Sequence, residues 1–287
     1  MKFAVAIAIA GTGLGQAASV WNAGDGQWFD AANWDNGVPS SEDATISNGS
    51  TVTYTPGGDQ TIDSGSTLIV SNGSTLTQTE QAWMRINGNA TFVLNNGGYS
   101  RTGGGNIVTG FDASESGNII ATNSSITTTG GMRMGYGANA ISDVSLTNSS
   151  LLASSELWFG NPDNVINGQN AILTLDNSTV SADKIWFWNP ESTIFNLNMI
   201  GVSSVTTNVG TSSNADYTAR TWEGLYDDGI LTYNGSNADP FSDHFTTSGN
   251  VGEASYTLTT VPEPSTTAFG ALALLGLCAV RRRRASK

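Results

Sequence analysis

Few residues in this chain could do chemistry. Its 287 residues include one histidine, His244, and one cysteine, Cys278. That argues against a cytosolic metal or thiol enzyme, and no disulfide can form within the chain. Glycoside hydrolysis needs two opposed carboxylates. Lyase chemistry needs a cation held by carboxylates and a basic residue to take the proton. The acids available to a repeat body are Asp112, Glu115, Glu156, Asp163, Asp183 and Glu191, and they form no repeated column. Glu156 and Asp183 precede equivalent strands and are expected near each other, as solvated corner residues. Asp25-Gly26 and Asp227-Asp228-Gly229 are not calcium loops of recognised length, and no Gly-x-Ser-x-Gly elbow occurs. His244, between Asp243 and Phe245, reads as a surface or cap residue. No catalytic residue, metal site or cofactor is expected.

The remaining side chains with binding potential are aromatic. Trp158, Trp186 and Trp188 lie in the short apolar runs Leu157-Trp158-Phe159 and Ile185-Trp186-Phe187-Trp188. Strand alternation puts Leu157, Phe159, Ile185 and Phe187 on one face and the three tryptophans on the other. Exposed, they would form a ligand platform for sugar rings. Covered, they would be a second packed layer, and the covered arrangement is the one expected.

The elements that position these residues come from a repeat. Asn followed by small residues recurs after apolar strands at Asn72, Asn96, Asn123, Asn148 and Asn177, at spacings of 24, 27, 25 and 29. A third strand follows about ten residues later, at Ala82–Ile86, Met132–Met134, Leu157–Phe159 and Ile185–Trp188. A period near 25 without helical patterning is the mark of a β-solenoid, whose coils bury their apolar side chains by stacking. The fold class is therefore all-β: a right-handed parallel β-helix (β-solenoid) of about five to seven coils over 44–215. A β-sandwich is the alternative. Asn tolerates the left-handed corner, and its side chains are expected to stack as ladders. Sequons at Asn48, Asn72, Asn89, Asn123, Asn148, Asn177 and Asn234 are explained by those corners. Residues 18–43 form an N-terminal cap, with the first coil beginning near Ala44. Residues 216–260 form a C-terminal cap and tether, with a hairpin turn at Asp228-Gly229.

Charge narrows the partners. The chain has 11 Lys and Arg against 24 Asp and Glu, a net charge of −13. Residues 19–260 keep only Arg85, Arg101, Arg133, Lys184 and Arg220 against 23 acids, a net of −18. Such a body repels nucleic acid and anionic membrane.

The two ends read as addresses. Lys2, the apolar run from Ala4 to Ile9 and the small residues through Ala18 form a secretory signal peptide, cleaved after Ala17 or Ala18. This makes 1–17 a signal peptide and implies signal peptidase and the secretion machinery as partners. At the other end, Thr266 to Val280 is uncharged and precedes Arg281, Arg282, Arg283 and Arg284. As a helix it would be roughly 22 Å long. It spans a membrane only with its ends snorkelling, and the arginines hold that end in the cytoplasm.

The motif Val261-Pro262-Glu263-Pro264-Ser265, this short transmembrane helix and the arginine cluster together resemble the PEP-CTERM protein-sorting signal, covering 261–287. The resemblance implies sorting by an exosortase-type membrane protease that cuts near Pro-Glu-Pro. It implies export through the inner membrane of a Gram-negative bacterium, transient anchoring, and a final place at the cell surface or in the extracellular matrix. Exopolysaccharide would be the neighbour there. The cap run Val20-Trp21, Gln27-Trp28-Phe29, Asn33-Trp34 and Gly37-Val38-Pro39 is similar to the start of autotransporter-like β-helix proteins. Its tryptophans read as cap core ahead of sugar binding. Three readings follow, in order: a non-enzymatic surface or matrix protein, a carbohydrate-binding β-helix, and a polysaccharide lyase or hydrolase.

Overall fold

A computed structural model describes residues 18–261, apart from 56–57, 162–167, 189–193, 214–217 and 254. These residues form a parallel β-solenoid of about seven turns. Each turn begins with a strand in one sheet. These first strands run Ser19–Val20, Ala44–Ile46, Thr67–Ser71, Ala90–Asn95, Ser116–Thr122, Ile141–Thr147, Asn170–Asp176, Ile194–Ile200 and Leu231–Tyr233, in that spatial order. Each then crosses a corner into a second strand, such as Thr75–Gln78, Gly98–Arg101 and Ser125–Thr128. Third strands follow at Gln60–Ile62, Met84–Ile86, Ile107–Thr109 and Met132–Met134. In later turns the second and third strands fuse into Ser150–Phe159, Thr179–Phe187 and Ser204–Ser213. Gln60–Ile62 and Ile107–Thr109 carry too little apolar pattern to be read from sequence. They are fixed by register, Ile107 lying between Met84 and Met132.

Alternation decides what is inside. In the second strands, Val52, Leu76, Tyr99, Ile126, Leu151, Val180 and Val205 stack inward and are buried. The first strands stack Leu68, Phe92, Ile119, Val144, Leu173 and Leu197. No coil could bury these groups alone, because each coil is one residue layer thick; the neighbours above and below complete the core.

The corners are as expected in backbone and different in side chain. Asn72, Asn96, Asn123, Asn148 and Asn177 all adopt positive φ, between 48° and 54°. That conformation costs most L-residues about 1–2 kcal/mol, and Asn less. The Asn side chains are exposed, however, although Asn177 Oδ1 accepts from Val202 N–H at 2.9 Å, and the ladder is built from Ser74, Ser124, Ser149, Ser178 and Ser203. Ser149 Oγ accepts from Ser124 N–H at 3.0 Å and donates to Thr147 O at 2.8 Å. Ser178 Oγ accepts from Ser149 N–H at 3.0 Å, and Ser203 Oγ from Ser178 N–H at 3.1 Å. The left-handed turn aims Asn outward and the next residue inward. There a small hydroxyl can satisfy the corner N–H that the coil above leaves without a carbonyl.

Both ends are closed. Ser19–Val20 and Gly26–Gln27 already stack parallel on the next coil, so stacking begins before Ala44. Trp21, Trp28 and Trp34 are buried there, edge to face at 5.1 and 4.8 Å. At the other end the expected hairpin at Asp228-Gly229 is instead the end of a helix, Trp222–Asp227. Thr221 caps it by accepting from Gly224 N–H at 3.0 Å. Trp222, Leu225 and Tyr226 give it an apolar face, and Gly229 takes the left-handed turn after it. Leu231–Tyr233 then joins the first sheet. The expected tether is also a strand: Tyr256–Thr260 lies antiparallel on Ser204–Ser213 and pairs with Phe245–Ser248.

Candidate functional site

Two places carry the residues singled out by sequence: the end of the last strand and the outer face of the third strands. At the first, Thr260 closes the hydroxyl ladder. Its Oγ1 accepts from Ser203 N–H at 2.8 Å and donates to Gly201 O at 2.6 Å. Val261 N–H donates to His244 O at 2.7 Å. The chain is thus pinned to the solenoid up to the residue before Pro262. Pro262, Glu263, Pro264, Ser265 and Arg281 to Arg284 lie outside the described residues, as does the expected membrane helix over 266–280. Among the described residues no helix is long and apolar enough to cross a membrane.

At the second place, register brings Trp158 directly beside Trp186. Trp188 stacks on Trp186 at 4.7 Å and 13°, and meets Trp158 edge-on at 5.6 Å. Their inward neighbours Leu157, Phe159, Ile185 and Phe187 are in the core. The tryptophans therefore share the outer face, but they are not bare. Trp186 and Trp188 are each 6% exposed, and Trp158 is half-buried. Glu156 takes both indole N–H groups, from Trp158 at 2.8 Å and from Trp186 at 2.9 Å. Arg133 sits 4.0 Å over the Trp158 ring, and the Lys184 ammonium 3.6 Å over Trp186. Burial pushes the Lys184 ammonium below its ordinary pKa, and Glu156 partly opposes this.

Sequence reasoning missed the rest of this layer. Arg133 also lies 5.1 Å from Trp83 and 5.5 Å from Tyr136. Tyr136 stacks on Phe111 at 5.4 Å and 6°, and Arg85 covers Phe111 at 3.9 Å while pairing with Asp59. Val108 shows what the layer does. Register puts it between Arg85 and Arg133 on the outer face, yet it is fully buried. The rings and guanidinium groups form a second apolar layer outside the sheet, held by cation–π contacts. The signal was Arg85, Arg133, Trp158 and Trp186 at matching positions of four third strands, legible only once the coils are aligned.

Glu156 and Asp183 do not stand opposite each other. Lys184, not Asp183, stands opposite Glu156, because the strands slip register between Ala153 and Glu156. Asp112 accepts from Asn87 Nδ2 at 2.7 Å, and Glu115 from Gly88 N–H at 3.1 Å. Asp163 and Glu191 lie outside the described residues. Among the described residues no group of three or more His, Cys, Asp or Glu is placed to hold a metal ion. His244 stacks on Tyr233 at 4.4 Å in the C-terminal cap, 3.5 Å from Asp239.

Compared with known proteins, residues 260–284 match the model of the PEP-CTERM protein-sorting motif. No curated protein and no solved structure matches the chain. The matched segment begins at Thr260, the last residue of the pinned strand.

Proposed function

We propose that this is a non-enzymatic surface or matrix protein, a stiff solenoid delivered by its C-terminal sorting signal and lodged beside exopolysaccharide. The PEP-CTERM motif makes it an exported substrate of an exosortase-type membrane protease. The observation that carries the reading is the junction. A closed fold ends in a hydrogen-bonded strand, and the cleavable segment starts where that strand stops. Cutting after Val261 would therefore leave the body intact. Asp112, Glu115 and Glu156 are each engaged in hydrogen bonds of their own, which supports a role without catalysis.

Intact-mass analysis of protein taken from its own host tests the sorting. The mature species should lack residues 1–17 and most of 261–287. Deleting Arg281 to Arg284 should leave a mis-sorted, longer species whose β-rich circular dichroism is unchanged. An uncut C-terminus in the presence of the protease would overturn the proposal.

A further inference from the structure

A cavity of about 280 Å³ opens between the N-terminal cap and the first coils. Phe29, 52% exposed, stands at its wall, tilted against Tyr54 at 4.9 Å, and Trp28 meets the same Tyr54 edge-on at 5.4 Å. The chain leaves an exposed aromatic ring here that the cap core does not need: Trp21, Trp28 and Trp34 already fill it.

The polar groups lining the cavity have capacity to spare. Glu42 Oε2 is fixed by Ser40 N–H and Ser41 N–H, both at 3.0 Å, and by Ser40 Oγ at 3.1 Å. Burial alone would raise the Glu42 pKa, but the backbone N–H groups of Ser41, Ser40 and Glu42 outweigh it and keep the carboxylate ionised. Its other oxygen accepts from no described residue. The Tyr54 hydroxyl likewise has no partner among the described residues. Burial, then the charge of Asp59, pushes its pKa up to about 12, so it keeps its proton and can donate. Gln60 is 4% exposed, and its Oε1 is buried without a partner. A buried, unpaired amide oxygen costs about 1–3 kcal/mol, which a hydrogen-bonding ligand could recover by turning the amide.

An aromatic wall, a pre-oriented carboxylate oxygen, a free phenol and an amide form a set that suits a compact ligand with apolar C–H faces and several hydroxyls. Asp59 is paired with Arg85, whereas Glu42 has no paired cation among the described residues and brings the fuller negative charge to the cavity. That charge accepts hydroxyl donors and repels carboxylated sugars. The volume admits about one ring rather than a long segment. We propose that this cavity, and not the Trp158 layer, is a saccharide-binding site for a neutral sugar unit at an end or branch of a polysaccharide. The site deepens the reading of the protein as a neighbour of exopolysaccharide and rests on that part of it. It is independent of how the C-terminus is cut.

Intrinsic tryptophan fluorescence and calorimetry report binding to a panel of neutral, uronic and amino oligosaccharides, with tetramethylammonium as a plain cation. The purified protein should bind at least one neutral member saturably and no uronic one. Phe29→Ala and Tyr54→Phe should each weaken that binding at least tenfold at unchanged Tm, and Trp158→Phe should leave it unaltered. Three results would overturn the site: no neutral saccharide bound, binding of the cation or amino sugars alone, or binding indifferent to both cavity variants. Failure of the host mass experiment would leave these results standing, so the two readings fall separately.

Discussion

Replacing Ser149 by alanine removes one rung of the corner ladder, and its contacts set the size of the effect. Ser149 is 6% exposed, so water cannot fill the gap left by Oγ. The lost oxygen accepts from Ser124 N–H at 3.0 Å, and Ser124 is itself buried. A buried donor left without an acceptor costs about 1–3 kcal/mol. Thr147 O loses one bond as well, at 2.8 Å, but a carbonyl has a second lone pair and suffers less. We expect about 2 kcal/mol in total, read as a fall in Tm of about 4–8 °C for a domain of this size. Urea unfolding followed by circular dichroism should show a lower midpoint at the same slope. Asn148 supplies the control, because its side chain points to solvent and its φ is 48°. Asn148→Gly keeps the turn and should change stability by less than about 0.5 kcal/mol. Asn148→Ala meets the left-handed penalty and should cost about 1 kcal/mol. If Ser149→Ala were silent while Asn148→Gly was costly, the hydroxyl ladder would be the wrong account and the Asn side chains would carry the corner.

Trp186→Ser should cost about 3–5 kcal/mol, because it removes a 6% exposed ring stacked on Trp188 and strands Lys184 and one Glu156 oxygen; an unchanged Tm would return the ring to solvent. Gly130→Ala should be worse tolerated than Ser149→Ala, since its Cβ would stand 1.8 Å from Gly105 O on the coil before. Neither carbonyl nor corner can move without breaking the stack. Soluble expression with a native Tm would refute the stacking at that corner.

The sequence alone determined the repeat and the C-terminal sorting motif. Corners show because only a few residue types tolerate positive φ, so Asn72, Asn96, Asn123, Asn148 and Asn177 mark the turns whatever surrounds them. The C-terminal signal shows because it is written in consecutive residues, 260–284, and needs no alignment between coils to be read. The helix at Trp222–Asp227 was also legible, in the Thr221 cap and the spacing of Trp222, Leu225 and Tyr226, but the Asp228-Gly229 turn signal drew the reading to a hairpin. What only the tertiary structure decided depends on alignment between coils. Ser124, Ser149 and Ser178, each directly after an Asn, look like loop filler until the preceding coil offers each of them an N–H. Arg85, Val108, Arg133, Trp158 and Trp186 look unrelated along the chain, yet parallel register makes them one column. The slip between Ala153 and Glu156 sets Glu156 against Lys184 and takes away the carboxylate pair that spacing suggested. The cavity beside Phe29 joins residues from the cap and two coils, so no local pattern could announce it. In a solenoid the chain encodes each turn locally. Its outer surface is written at right angles to the chain, one residue per coil, and it becomes readable only when stacking fixes the register.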